Sequence, residues 1–273
     1  MSESGTATLA GWLAAQRRGA GLQVIGINGA QGSGKSTLAA ELRELLAGRH
    51  GLNALVLSID DLYLTRAQRE RLAREVHPLL RTRGVPGTHD VELGMDLLDK
   101  LNKPAASAVC VPKFVKALDD RAPASEWTLV SAPADLVLFE GWCVGTPPQA
   151  EEALAEPVNA LELDEDADGV WRRYANQQLA TRYAPLFGRI DRMIFLKTPD
   201  FDSIFRWRLE QEEKNAAAAA GASSSRVMGP RQLRRFIQHY ERLTRHALEV
   251  MPRLAEVVIE LGTEHQWLDL RVR

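Results

Sequence analysis

The chain has 273 residues, 45% of them apolar, enough to bury a full core as one large α/β domain or as two small ones. Its 34 basic and 36 acidic residues leave a net charge of −2, so no global field recruits nucleic acid or a membrane, and bound anions must be held locally. The N-terminus has no basic stretch ahead of an apolar one, no segment approaches the roughly 20 apolar residues of a membrane span, and the two cysteines, Cys110 and Cys143, read as buried reduced thiols; the expectation is a soluble cytoplasmic protein.

Thr8 to Arg18 reads as a short helix, closed by Gly19 and Gly21 and laid against the core. Leu22 to Thr37 (LQVIGINGAQGSGKST) then runs from an apolar strand pattern straight into a glycine-rich turn. Gly29, Gly34, Lys35 and Ser36 fill the fixed positions of the Walker A pattern, with Ala30, Gln31, Gly32 and Ser33 between them and Thr37 after. Glycines let the loop turn its backbone N–H groups onto phosphates without a side chain in the way. Lys35 brings positive charge to the β- and γ-phosphates, Ser36 offers an oxygen to Mg²⁺, and the following helix points its positive end at the anion. The amphipathic pattern Leu38, Leu42, Leu45, Leu46 supplies the helix this reading needs, against the alternative of a fortuitous glycine-rich turn.

Asn53 to Ile59 is a second buried strand, ending on Asp60-Asp61-Leu62-Tyr63. Ligands of open α/β sheets bind at the carboxyl ends of the strands, so both carboxylates are expected beside the nucleotide unless they cap the helix starting near Thr65. Thr65-x-x-Gln68 is a capping box opening a helix to Val76. The loop HPLLRTRGVPGTHD follows, with Arg81, Arg83, His89 and Asp90 as polar candidates for binding. A helix over Val91 to Leu101, a short strand over Ala108 to Pro112 and the mixed-charge stretch KFVKALDDR come next; there Lys113, Lys116 and Arg121 stand beside Asp119 and Asp120, as they would in a merely solvated loop.

Ala134 to Phe139 is the third core strand, and Glu140 at its end has the form of the Walker B acid that orders a Mg²⁺ shell through water. Asp164 to Gly169 resembles the opening of an EF-hand loop, but Arg172 and Ala175 fall at its positions 9 and 12, so Ca²⁺ affinity should be poor and a turn capping a helix over Trp171 to Tyr183 is the plainer reading. Asp166-x-x-Gly169 could pass for a GTPase motif, yet Asn102-Lys103-Pro104-Ala105 lacks the aspartate that would read guanine, which favours ATP. Arg192 to Lys197 is strand four, followed by a helix with Thr198 as N-cap and Pro199 in its first turn, carrying Arg206 and Arg208. The Ala- and Ser-rich stretch Asn215 to Arg226 suits either a surface loop or a lid. Leu233, Phe236, Ile237, Tyr240, Leu243, Ala247 and Met251 form the core stripe of a long helix, and Ala255 to Leu261 is the fifth strand.

Five buried strands separated by helices, with the phosphate loop after the first, give a three-layer α/β P-loop fold: a mostly parallel five-stranded sheet with helices on both faces. GAQGSGKST, SIDDLY, HPLLRTRGVPGTHD, DDRAP, LFEGW, the RWRLEQE helix and RFIQHYERLTRH together resemble the D-glycerate 3-kinases of bacteria, fungi and plants, from about Gly21 almost to the C-terminus. More distantly the layout is similar to uridine, pantothenate and phosphoribulokinases. The resemblance implies one kinase domain over 21–273 behind an N-terminal helix at 1–20, a substrate-binding insertion over 62–134 and a lid over 209–232. It implies ATP and Mg²⁺ as cofactors, Asp60 as base on the acceptor hydroxyl, and Asp60 and Glu140 serving the metal with Ser36. One departure is Val115, where the family pattern carries an acidic residue.

Phosphoryl transfer is mainly positioning and charge stabilisation, so cations must close over the migrating group; Arg206 and Arg208, beside Lys35, are the candidates. Glycerate adds a carboxylate whose natural partner is a bidentate arginine, with Arg81, Arg83 and Arg121 as candidates and Asp61, Tyr63 and His89 completing the acceptor set. A related kinase with another acceptor stays open, as does a non-catalytic ATP-binding module or an ATPase that moves a partner. The partner expected is a small molecule, not nucleic acid or membrane, and one sequence specifies no oligomeric state.

Overall fold

The computed structural model describes residues 3–17, 19, 21–103, 108–218 and 229–273. In chain order they form helix α1 (Glu3–Gln16), strand β1 (Gln23–Gly29), α2 (Lys35–His50), β2 (Ala54–Ser58), a 3₁₀ turn (Ile59–Leu62), α3 (Arg66–Glu75) and α4 (Val91–Leu101). Four short strands follow, β3 (Ala108–Val111), β4 (Phe114–Val115), β5 (Asp120–Arg121) and β6 (Thr128–Ser131). The rest comprises β7 (Leu136–Gly141), α5 (Ala160–Glu165), α6 (Val170–Gln178), α7 (Ala184–Phe187), β8 (Arg192–Lys197), α8 (Phe201–Ala218), α9 (Pro230–Leu254), β9 (Val257–Leu261) and β10 (Trp267–Val272).

Side chains alternate along a strand, so a strand covered on both faces must be apolar throughout. Ile25, Ile27, Leu138, Ile194, Leu196 and Ile259 meet Leu9, Leu13, Leu38, Leu42 and Leu46 of α1 and α2. Their neighbours Val24, Val137, Phe139, Phe195 and Val258 join the opposite core with Leu97 and Leu98 of α4, Leu186 of α7 and Tyr240, Ala247 and Met251 of α9. The sheet order is β10-β9-β8-β1-β7-β2. Its five anticipated strands are parallel, as expected. A sixth, β10, pairs antiparallel with β9 at the edge. It escaped the sequence reading because an edge strand is covered only in part: Leu268 and Val272 are exposed, and the long apolar run that marks a central strand is missing.

The strand expected at Ala108 to Pro112 exists as β3, but it pairs with β6 outside the main sheet, and Cys110 on it is exposed rather than buried. Cys143 is buried, and both thiols are free. The capping box at Thr65 and Gln68 is present. Thr198 is not the cap of α8; Asp200 is, its Oδ1 accepting from the Ser203 N–H at 2.7 Å. The expected helix over Trp171 to Tyr183 is α6 followed by a π-helical turn at Leu179–Tyr183. Asp166 holds its start, accepting from the N–H groups of Trp171 and Arg172 and pairing with the Arg172 guanidinium. Residues 219–228, the middle of the expected lid, lie outside the described residues, as do Pro104 and Ala105. Among the described residues, no helix is long and apolar enough to cross a membrane.

Candidate active site

Strand β1 passes into α2 through a turn that only glycine can make. Gly32 and Gly34 have φ of 79° and 90°, a region that L side chains rarely enter. A Cβ on Gly29 would come within 2.8 Å of Ser33 Oγ and 2.9 Å of Leu196 Cβ, so the loop rests directly on β8. At the start of α2 the Lys35 ammonium donates to the Ala30 carbonyl at 2.9 Å, which closes the loop. Burial pulls its pKa down, against the opposing fields of Glu140 and Asp60. Ser36 Oγ donates to Glu140 Oε1 at 2.9 Å. The parallel register sets Glu140 level with Ile27 in β1 and Ser58 in β2, which brings the Walker B acid to the same end of the sheet as the loop and Asp60.

The acceptor side starts in the 3₁₀ turn after β2. Asp60 Oδ1 accepts from the Tyr63 hydroxyl at 2.9 Å, and Asp60 Oδ2 lies 2.7 Å from Lys116 Nζ. Burial raises the Asp60 pKa, but the Lys116 ammonium and the Tyr63 hydrogen bond outweigh it and hold the carboxyl below its ordinary value. Asp61 accepts from the Phe114 N–H at 3.1 Å, and burial pushes its carboxyl up. The Tyr63 ring stacks on His89 with centroids 4.5 Å apart and meets Phe114 edge-on. His89, pulled down to about 3 by burial, is neutral; its Nδ1 lies 2.6 Å from the Tyr183 hydroxyl.

Arg83 is carried on a scaffold of buried polar bonds. Its guanidinium pairs with Asp119 and lies over the Phe114 ring, 5.5 Å from the centroid. Asp119, with a left-handed φ of 54°, is in turn gripped by Arg69, which is 1% exposed and donates to the carbonyls of Arg81 and Asp119 at 2.7 and 2.5 Å. Such an arginine locks the β4–β5 hairpin onto α3 because its donors satisfy carbonyls that would otherwise be orphaned. Asp120 adds to the lock by accepting from the Arg66 N–H at 2.9 Å.

The phosphate loop and the acceptor side open onto one cleft of about 630 Å³. Of the residues singled out from sequence, it brings together Gln31, Gly32, Gly34, Lys35, Ser36, Thr37, Asp60, Asp61, Tyr63, Arg83, Glu140 and Arg208. Gly29, Ala30 and Ser33 support the loop from behind. His89 stands behind Tyr63, and Arg81 is exposed and offers only its carbonyl, to Arg69. The Arg121 guanidinium is spent on the Tyr63 carbonyl at 2.8 Å and Asp90 at 3.2 Å, so it braces the turn that carries Asp60. Arg206 is exposed and donates to Ser203 Oγ at 2.8 Å on the far side of α8 from Arg208. Two residues apart on a helix, the two arginines point about 200° apart and cannot both reach one cleft.

Lys116, Trp142, Trp207, Tyr240 and His265 also line the cleft and were not singled out as site residues. Tyr240 read as part of a core stripe, and Lys116 was hidden in a mixed-charge loop; no local signal marks either. The Trp207 ring stacks on His265 at 4.2 Å and its Nε1 donates to the Thr263 carbonyl, which ties α8 to the loop after β9.

Among the described residues no group of three or more His, Cys, Asp and Glu could hold a metal. Ser36 and Glu140 present adjoining oxygens, with Asp60 in the same cleft. A sparse oxygen set of this kind fits Mg²⁺, which keeps much of its water and takes its remaining ligands from one or two carboxylates and from phosphates.

No family model matches the chain. It is 32% identical over 225 residues to an uncharacterized kinase of Schizosaccharomyces pombe, covering 80% of this chain and 78% of that protein. It is 32% identical over 198 residues to the chloroplastic D-glycerate 3-kinase of Arabidopsis thaliana, covering 69% of this chain and 41% of that protein. The solved structure of a D-glycerate 3-kinase from Cryptococcus neoformans matches with a TM-score of 0.83 at 26% identity, over 99% of both chains.

Proposed function

Because the chain belongs to the D-glycerate 3-kinase family of P-loop kinases, we propose that it transfers the γ-phosphoryl group of ATP to the primary hydroxyl of D-glycerate, giving 3-phosphoglycerate and ADP. The observation that carries this reading is a carboxylate, Asp60, in one cleft with a Walker A lysine and with the cations Arg83 and Lys116.

Lys35 and the backbone of Gly32 to Ser36 bind the phosphates, and Lys35 exchanges its bond to the Ala30 carbonyl for one to a phosphate oxygen. Mg²⁺, held by Ser36 and Glu140 with Asp60, would neutralise charge on the phosphates. Asp60 takes the proton of the acceptor hydroxyl as that oxygen bonds to the γ-phosphorus and the bond from phosphorus to the β,γ-bridging oxygen breaks. Tyr63 holds the carboxylate in place. Arg208 faces the charge on the migrating group, and Arg83 offers the acceptor carboxylate a planar pair of donors. In this reading 21–273 is one kinase domain behind its N-terminal helix, and 62–134 supplies the acceptor side.

The test is ADP release against a panel of D-glycerate, uridine, pantothenate and ribulose 5-phosphate, with phosphorus NMR of the product. Glycerate-dependent release with a 3-phosphate product is expected. A 2-phosphate would reverse the orientation of glycerate, release with another acceptor alone would move the substrate, and release with no acceptor dependence would make the protein an ATPase.

A further inference from the structure

In the cleft the Lys116 ammonium sits on the carboxylate of Asp60, at 2.7 Å. Its backbone and its side chain are held very differently. The hairpin that carries it is fixed: Phe114 pairs with Arg121 and Val115 with Asp120, the Phe114 N–H is bonded to Asp61, and Asp119 is gripped by Arg69. The Lys116 side chain is 63% exposed, a compact charge on a flexible four-carbon stem. With Tyr63 on Oδ1 and Lys116 on Oδ2, an acceptor hydroxyl approaching Asp60 must share an oxygen with a donor already bound.

We propose that Lys116 is a substrate-read latch on Asp60, which the carboxylate of an anionic acceptor draws onto itself, releasing the carboxylate of Asp60 to take the hydroxyl proton. The inference deepens the kinase reading above and rests on it for the identity of the acceptor. Exchanging one carboxylate partner of an ammonium for another keeps the number of ion pairs constant. A neutral acceptor offers no such exchange, and leaves Lys116 either on the base or in water without a carboxylate partner. Arg83, held to the same hairpin through Asp119, stands where it can share the arriving carboxylate with Lys116. Val115 fits this arrangement: it forms the hairpin pair with Asp120, does not line the cleft, and adds no negative charge beside Lys116.

The test compares D-glycerate with D-glyceramide, in which a neutral amide replaces the carboxylate, in the wild-type protein and in Lys116→Met. The exposure of Lys116 predicts an unchanged fold, checked by thermal melting. In Lys116→Met, kcat/KM for D-glycerate should fall by about 10- to 100-fold, the usual span of coupling between two sites. Over the same comparison kcat for D-glyceramide should rise, and so should ADP release to water without acceptor. An unchanged preference for D-glycerate over D-glyceramide overturns the latch. A lost preference without a rise for the neutral acceptor reduces Lys116 to a simple carboxylate ligand and overturns it equally. If the wild-type protein releases no ADP with D-glycerate, the acceptor reading fails on its own; the latch is then judged by acceptor-independent release, which must rise in Lys116→Met.

Discussion

The phosphate loop of the cleft comes from one uninterrupted stretch, Gly29 to Thr37, joined by Glu140 and Arg208 from elsewhere, whereas the acceptor half gathers Asp60, Arg83 and Lys116 from three separate segments. The first is mostly backbone, shaped by glycines with positive φ and by the start of a helix. The second is mostly side chain, held by a relay in which Arg69 grips Asp119 and Asp119 pairs with Arg83. A backbone site owes its geometry to local conformation and to the strands beneath it. A side-chain site assembled across segments inherits every weakness of the contacts that assemble it. Changes in the first half should therefore strike the chemistry and spare the fold, and changes in the second should reach both.

The largest effect is expected on the nucleotide side. Lys35→Ala should lower turnover by about 10³-fold or more, the upper range for removing one preorganised donor, with thermal melting unchanged because Lys35 gives up an unfavourable burial. A folded variant with wild-type ADP release would remove the loop from the chemistry.

Asp60→Asn should cost about 10²–10⁴-fold in kcat while MgATP binding persists, as befits a positioned base. Asp61→Asn should cost less, because Asp61 spends its carboxylate on the Phe114 N–H. Calorimetric binding of MgATP alongside the rates separates the two halves: equal losses in affinity and rate would erase the distinction between them.

Arg69→Met tests the relay itself. It leaves the carbonyls of Leu64, Arg81 and Asp119 without their donors, which should lower stability by about 2–3 kcal/mol. The KM for the acceptor should rise and that for ATP should not. Denaturant titration and steady-state kinetics read both, and an ATP defect as large as the acceptor defect would show that the halves are not separable.

On α8, Arg208→Ala should lower kcat by about tenfold with little change in the KM for ATP. Arg206→Ala should leave both within a factor of about two, because it lies on the opposite helix face with Ser203. Equal losses in the two variants would place both side chains at the phosphoryl group and contradict their geometry.

A last effect, read in stability rather than in rate, is a matter of pH. His89 and His239, pulled down to about 3 and about 4 by burial, both lie on the acceptor side of the sheet. The unfolded chain takes up their protons near pH 6.5 and the folded chain does not. Stability is therefore complete above pH 6.5 and falls as pH is lowered toward 4, by up to about 1.4 kcal/mol per pH unit for each histidine. His239→Gln should flatten the slope in thermal melts. Hydrogen exchange at pH 5 should lose protection around α9 before it does around α2; the reverse order would make the nucleotide half the weaker one.

Much of this arrangement can be read in the amino-acid order because its causes are local. The Walker A loop, the capping box at Thr65, the five parallel strands and the acids at the ends of β2 and β7 each follow from a pattern within a few residues. Parallel strands covered on both faces announce themselves by unbroken apolar runs. The rest depends on what lies across space. Lys116 meets Asp60, and Arg121 retires into bracing the Tyr63 carbonyl, because two hairpin strands fold back over the turn after β2. Arg206 and Arg208 look alike in sequence and are divided by helical rotation. Strand β10 exists because β9 leaves an open edge, and its mixed WLDLRV pattern is as polar as that edge permits. Charge and residue type say what each of these side chains can do; which of them does it is set by the neighbour each one finds once sheet, helices and hairpin have packed.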